Sequence, residues 1–235
     1  MILKRILGVK SVIDFIYMFF SNIVIKGFGF LREVILAYLF GTSLLYSFYI
    51  LLRTAADFLS QFTFGNALQS NILPKLSKHF EQHNKVSYNK LFAFTKRSFF
   101  FIFIVSQIIQ FIIIWKLDSE YAFQLIGISL LLSFLIVFNF FNSVFMTVLQ
   151  AEGGFKDYSL GSTLNLFVST LLLYPLAFFF DIIGVVISRI IGALTLTKQY
   201  IIPILQRERS NEVEISIKDF SLSVLLLGNF PSIIL

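Results

Sequence analysis

Six of the ionisable residues inside otherwise apolar stretches are the candidates for chemistry: Lys26, Arg32 and Glu33 in the first, Arg53 and Asp57 in the second, and Arg189 in the sixth. The chemistry they offer is electrostatic. Lys26 and Arg32 suit an anionic head group, and a guanidinium matches phosphate oxygens with a planar, bidentate fork. The two cations are six residues apart, about 120° from one another around a regular helix. They share one stripe only if that helix bends, and Gly27 and Gly29 between them predict such a bend beside a cavity. Arg53 and Asp57 are spaced i, i+4 and share a helix face, either as a self-neutralising bridge or as a gate inside the cavity. Glu33 is a second partner for Arg53 across helices, and Arg189 is a further cavity candidate. A charge at the centre of a spanning helix costs about 2.5–3.5 kcal/mol on insertion scales, so these six are expected to pair or to line a polar cavity.

Other chemistries find little footing. His79 and His83 are also spaced i, i+4, but in His79-Phe80-Glu81-Gln82-His83 no Glu directly follows the first His, so the zinc-protease order is missing. No third ligand accompanies them. The chain has no cysteine, which removes disulfides, thiolate metal sites and cysteine nucleophiles together. There is no Gly-rich phosphate loop and no Ser/His/Asp arrangement, and Glu208, Glu212 and Glu214 lie in a solvated linker. Neither an enzyme nor a metal or other cofactor is expected. Ser162, Thr163, Asn165 and Ser169 form a polar patch that reads as glue between helices.

The elements that must carry these residues are membrane helices. Of 235 residues, 57% are hydrophobic and 14% charged, with 31 Phe and a mean hydropathy of +0.85. Soluble domains run about 45–50% apolar and about 25% charged. A span needs ~20 apolar residues, and the apolar stretches predict six spans: 12–40, 45–73, 98–115, 121–149, 158–180 and 182–204. The basic start, Lys4, Arg5 and Lys10, runs into the first span with no small-residue cleavage site, which predicts an uncleaved helix. The expected fold is an all-α polytopic membrane protein. Residues 1–205 form a six-span bundle, 206–219 a cytoplasmic linker, and 220–235 the start of a seventh span. That last run reaches ~24 Å against a hydrocarbon core of ~30 Å, which suggests an amino-terminal half of a longer protein.

Charge sets the orientation. Of 19 Lys and Arg, fourteen fall on the side of the N-terminus and only Lys116 on the other. The positive-inside rule therefore predicts a cytoplasmic N-terminus. The net charge of +6 is a topological signal here, and no nucleic-acid partner is expected.

Three segments carry a family resemblance. Gly29-Phe30-Leu31-Arg32-Glu33 followed by Ala37-Tyr38-Leu39-Phe40-Gly41 resembles the first-helix signature of the MurJ/MviN lipid II flippases. Phe64-Gly65-Asn66-Ala67-Leu68-Gln69-Ser70 with Pro74 is similar to that family's exit from the second helix, and Leu149-Gln150-Ala151 through Ser162-Thr163-Leu164-Asn165 to a turn shared by the wider superfamily of multidrug, oligosaccharide-lipid and polysaccharide exporters. The resemblance implies the amino-terminal lobe of two pseudo-symmetric bundles in a bacterial cytoplasmic membrane. It implies alternating-access transport of an undecaprenyl-pyrophosphate-linked sugar, with Lys26 and Arg32 at the positions of the family's two first-helix arginines. The chain departs from the pattern at Ser47 and Ser60, where the family carries an Asp and a cavity Arg. An exporter of O-antigen-like or other polyprenyl-linked polysaccharide units is the alternative. Partners on either reading are a lipid-linked glycan, membrane lipids and a carboxy-terminal half.

Overall fold

A computed structural model describes residues 2–60, 73–74, 76–77, 88–117 and 120–202. The expected linker 206–219, the seventh apolar run 220–235, His79 and His83, and the segment Phe64 to Ser70 lie outside the described residues. Every element described is helical: α1 Ile2–Phe40, α2 Leu44–Ser60, α3 Tyr88–Leu117, α4 Ala122–Ala151 and α5 Phe155–Leu196, which continues through a π-helical turn at Thr197–Ile201.

Turn chemistry fixes where the chain reverses. After α1, Gly41 sits at φ +50° and its N–H closes on the Ala37 carbonyl at 2.9 Å, a left-handed stop that glycine adopts without a Cβ clash. Two residues on, the Ser43 hydroxyl accepts the Tyr46 N–H at 3.2 Å and starts α2 as an N-cap. After α4, Gly153 at φ +76° and the Gly154 N–H, bonded to the Leu149 carbonyl at 2.8 Å, turn the chain into α5.

Among the described residues, three helices are long and apolar enough to cross a membrane: Ser98–Leu117, Ala122–Ala151 and Phe155–Ile201. At ~1.5 Å per residue the third would reach ~70 Å if straight, more than twice the hydrocarbon thickness. It is not straight. Asp181 adopts φ 57°, ψ −141°, breaking α5 into two arms that fold back on each other. Glycines let the arms close. Gly184 lies against the Leu176 carbonyl, a Cβ on Gly192 would stand 2.6 Å from the Asn165 carbonyl, and one on Gly161 would stand 2.9 Å from Leu196. Small residues at such contacts let backbones approach where lipid supplies no hydrophobic drive.

α4 is the central element, packed on α2, α3 and both arms of α5, while α1 lies along α5. One core gathers Leu36, Tyr49, Leu52, Leu125, Leu132, Leu173 and Val185; another gathers Ala56, Phe140, Phe145, Val148 and Ile201. Polar side chains bind α3 to α4. The Ser106 and Ser133 hydroxyls are 2.8 Å apart, and Gln107 and Gln110 each donate to the Ser133 hydroxyl, at 2.8 and 3.2 Å. The outer faces remain greasy, with Phe30, Tyr38, Phe100, Trp115, Phe123 and Phe179 all exposed.

Contrary to the expected bend, α1 runs as one helix through Gly27 and Gly29. Nothing lies within 4 Å of a Cβ built on either glycine, so no close packing forces the backbone out of helical geometry there. This separates the glycines into two kinds with different expected costs. Gly192→Val is expected to lower the thermal unfolding midpoint of the detergent-purified protein by several degrees, through backbone overlap with Asn165. Gly27→Ala should leave the midpoint unchanged or slightly raised, as helix propensity favours alanine by about 1 kcal/mol. Equal midpoints for the two variants would contradict the hairpin.

Candidate functional site

The ionisable residues of three helices converge. α1 supplies Arg32 and Glu33, α2 supplies Arg53 and Asp57, and the second arm of α5 supplies Arg189. Arg53 Nη2 meets Glu33 Oε1 at 2.9 Å, and its Nε meets Asp57 Oδ2 at 3.4 Å across one helical turn. Arg189 Nη2 reaches Asp57 Oδ1 at 3.7 Å. Both pairings that the spacing allows, i to i+4 within α2 and Glu33 to Arg53 across helices, are therefore made together. Arg189 joins them at the other carboxylate oxygen.

Arg32 is different. Its residue is only 5% exposed, yet Nε and Nη2 have no hydrogen-bond partner among the described residues. It lies within electrostatic reach of Arg189, Tyr49, Arg53 and Glu33. Arg189 Nη1 and the hydroxyl of the fully buried Tyr49 are likewise without partners. Among the described residues three guanidiniums face two carboxylates, which leaves one positive charge uncompensated by them. An unpaired buried donor costs about 1–3 kcal/mol, and more when charged. The arrangement is complete for an anion placed between Arg32, Arg189 and Tyr49, and incomplete without one.

Lys26 does not join this cluster. It is exposed and makes no ion pair among the described residues. The reason is the regularity of α1: without a bend at the glycines, six residues leave Lys26 about 120° away from Arg32.

Beside the charges lies a second feature that sequence reasoning did not single out. A cavity of about 430 Å³ opens between α1, α2, α4 and α5, lined by the amides of Asn139, Asn142, Gln150 and Asn165 together with Tyr158. Among the described residues, no charged side chain lines it. Asn142 holds the wall: its Nδ2 donates to the Ala193 carbonyl at 3.0 Å and its Oδ1 accepts from Thr197 at 2.7 Å. The polar patch of the fifth span divides between two roles. Thr163 pairs with Ser21 of α1 at 2.8 Å, as expected of glue between helices, whereas Ser162 and Asn165 turn to the cavity. The signal available in sequence was Asn139, Asn142 and Gln150, three amides in an otherwise apolar helix.

Comparison with protein-family profiles, with curated proteins and with solved structures finds no match in any of the three.

The geometry separates bridge from binding site. Arg53 is expected to be structural, so a double-mutant cycle of Glu33→Gln and Arg53→Leu, followed by thermal unfolding in detergent, should show a coupling of about 1 kcal/mol. The single Arg53→Leu change should be more damaging than Glu33→Gln, since it leaves Glu33 without its partner and Asp57 with Arg189 alone. Additive effects would remove Arg53 from the framework of the cluster.

Proposed function

We propose that this chain is part of a membrane transporter that moves a polyprenyl-pyrophosphate-linked glycan across a bacterial cytoplasmic membrane by alternating access. On this reading α1, α2, α3, α4 and the two arms of α5 are six spans with the N-terminus in the cytoplasm. The MurJ/MviN-like first-helix motif and the excess of basic residues on the N-terminal side support it. The observation that carries it is the buried Arg32 guanidinium with two unpartnered donors beside Arg189 Nη1 and the Tyr49 hydroxyl. A pyrophosphate supplies acceptor oxygens and negative charge to all three, and guanidinium binds it in bidentate fashion. Glu33, Arg53 and Asp57 then act as the frame that fixes the arginines.

Lipid II is the leading cargo. A different polyprenyl-linked polysaccharide unit is the second reading, favoured by a specific feature: Ser60, at the position of a cavity Arg in the family pattern, lines a cavity without any charge.

In the full-length protein, Arg32→Ala is expected to abolish complementation of a flippase-depleted bacterial strain while immunoblots show near-normal protein. Arg32→Lys should restore only part of the activity, because lysine keeps the charge and loses the fork. Full activity of Arg32→Ala at normal abundance would overturn the role of Arg32. Failure of the unaltered chain to complement, with export of another lipid-linked glycan intact, would favour the second reading.

A further inference from the structure

We infer that the uncharged cavity is a saccharide subsite, receiving the neutral hydroxyl and acyl-amide groups of a glycan whose phosphate end sits at Arg32. The inference deepens the proposed function and rests on its lipid-linked ligand. Its evidence is separate. Gln150 is only 9% exposed and lines the cavity; its side chain is hydrogen-bonded to Tyr158, and its Oε1 is left without a partner among the described residues. A buried amide oxygen left bare costs about 1–3 kcal/mol, so the wall is built to accept a donor that the protein does not supply. Asn139, Asn165 and Ser162 also line the cavity without making side-chain hydrogen bonds among the described residues. Amides and hydroxyls both donate and accept, as vicinal sugar hydroxyls require, and Tyr158 adds an aromatic face.

Other ligand classes fit less well. A charged group finds no counter-charge on the walls. A bare hard cation needs a tight shell of six to eight oxygens at roughly 2.3–2.6 Å, and a cavity of about 430 Å³ is far too open for that. An apolar ligand would leave at least four side-chain amides and hydroxyls facing it unpaired. The volume lies within the usual ~300–1,000 Å³ of small-molecule sites.

Position supports the assignment. On α1, cavity-lining Ile25 precedes Arg32 by seven residues; on α2, cavity-lining Ser60 follows Arg53 by seven. Two turns of helix put the cavity ~10 Å along the bundle from the arginines. That is the offset of a sugar attached directly to a pyrophosphate held at Arg32. One extended ligand would thus satisfy both sets of stranded polar atoms.

The test compares two probes on the purified chain in lipid nanodiscs: undecaprenyl pyrophosphate, and the same lipid bearing one N-acetylglucosamine. The unaltered chain is expected to bind the glycosylated lipid about tenfold more tightly, the worth of one or two added hydrogen bonds. Gln150→Leu and, in parallel, Asn139→Leu should bind both lipids equally, at the unaltered affinity for the bare one, which also reports that the variants are folded. Arg32→Ala should weaken both lipids alike. Equal affinity of the unaltered chain for the two lipids would overturn the saccharide subsite and leave the phosphate site standing. So would a sugar preference that survives in both cavity variants. If neither lipid binds, the phosphate reading falls and takes the subsite with it.

Discussion

A guanidinium buried among apolar helices, with no partner among the described residues for two of its nitrogens, is the constraint around which this structure is arranged. Arg32 cannot be left in lipid, where an ionised side chain costs several kcal/mol, and it cannot be neutralised by the carboxylates nearby. Those are already committed: Glu33 to Arg53 at 2.9 Å, and Asp57 to Arg53 and Arg189 at 3.4 and 3.7 Å. The bridges hold two helices and one arm of a hairpin in a fixed relation, and so keep Arg189 within electrostatic reach of Arg32. Pairing there does not supply much stability, since half-exposed ion pairs are worth little. What it supplies is geometry.

The framework reaches this arrangement by devices suited to a lipid environment. Apolar side chains gain little by leaving lipid for a protein core, so close approach and hydrogen bonding set the helix contacts. The arms of α5 meet at Gly161, Gly184 and Gly192, where any side chain would collide with the opposite arm. α3 and α4 are joined by the Ser106, Gln107, Gln110 and Ser133 network. Asn142 ties α4 to the second arm of α5 through Ala193 and Thr197. These contacts leave a polar interior of two characters side by side, one cationic and one uncharged.

Much of this could be read from the residues, and the failures have physical causes. The turn at Gly41 and Ser43 and the reversal after α4 at Gly153 and Gly154 follow from local chemistry that tertiary packing has no need to override. The pairing of Arg53 with Asp57 follows from i, i+4 spacing alone. The bend at Gly27 and Gly29 did not materialise, because glycine permits a distortion without imposing one and nothing packs close enough there to demand it. The break at Asp181, by contrast, falls where the expected fifth and sixth spans divide, and there the backbone takes a positive φ as the two arms close on each other. The uncharged cavity was hidden for a different reason. Asn139, Asn142 and Gln150 stand on α4 and Asn165 on α5, and amides in apolar helices look alike whether they bond one another or line a space. Only the fold distinguishes Asn142, which is satisfied, from Gln150, which is not.

The central claim is that the uncompensated charge at Arg32 is a site for a pyrophosphate group. Thermal unfolding of the purified chain in a neutral detergent, titrated with inorganic pyrophosphate at constant ionic strength, addresses it most directly. A ligand that binds only the folded state stabilises it by about 2.7 kcal/mol at a hundredfold excess over Kd. The account predicts a saturable rise in midpoint for the unaltered protein, absent in Arg32→Gln, which keeps a polar side chain of similar reach without the charge. The same rise in both proteins, or none in the unaltered one, would contradict it.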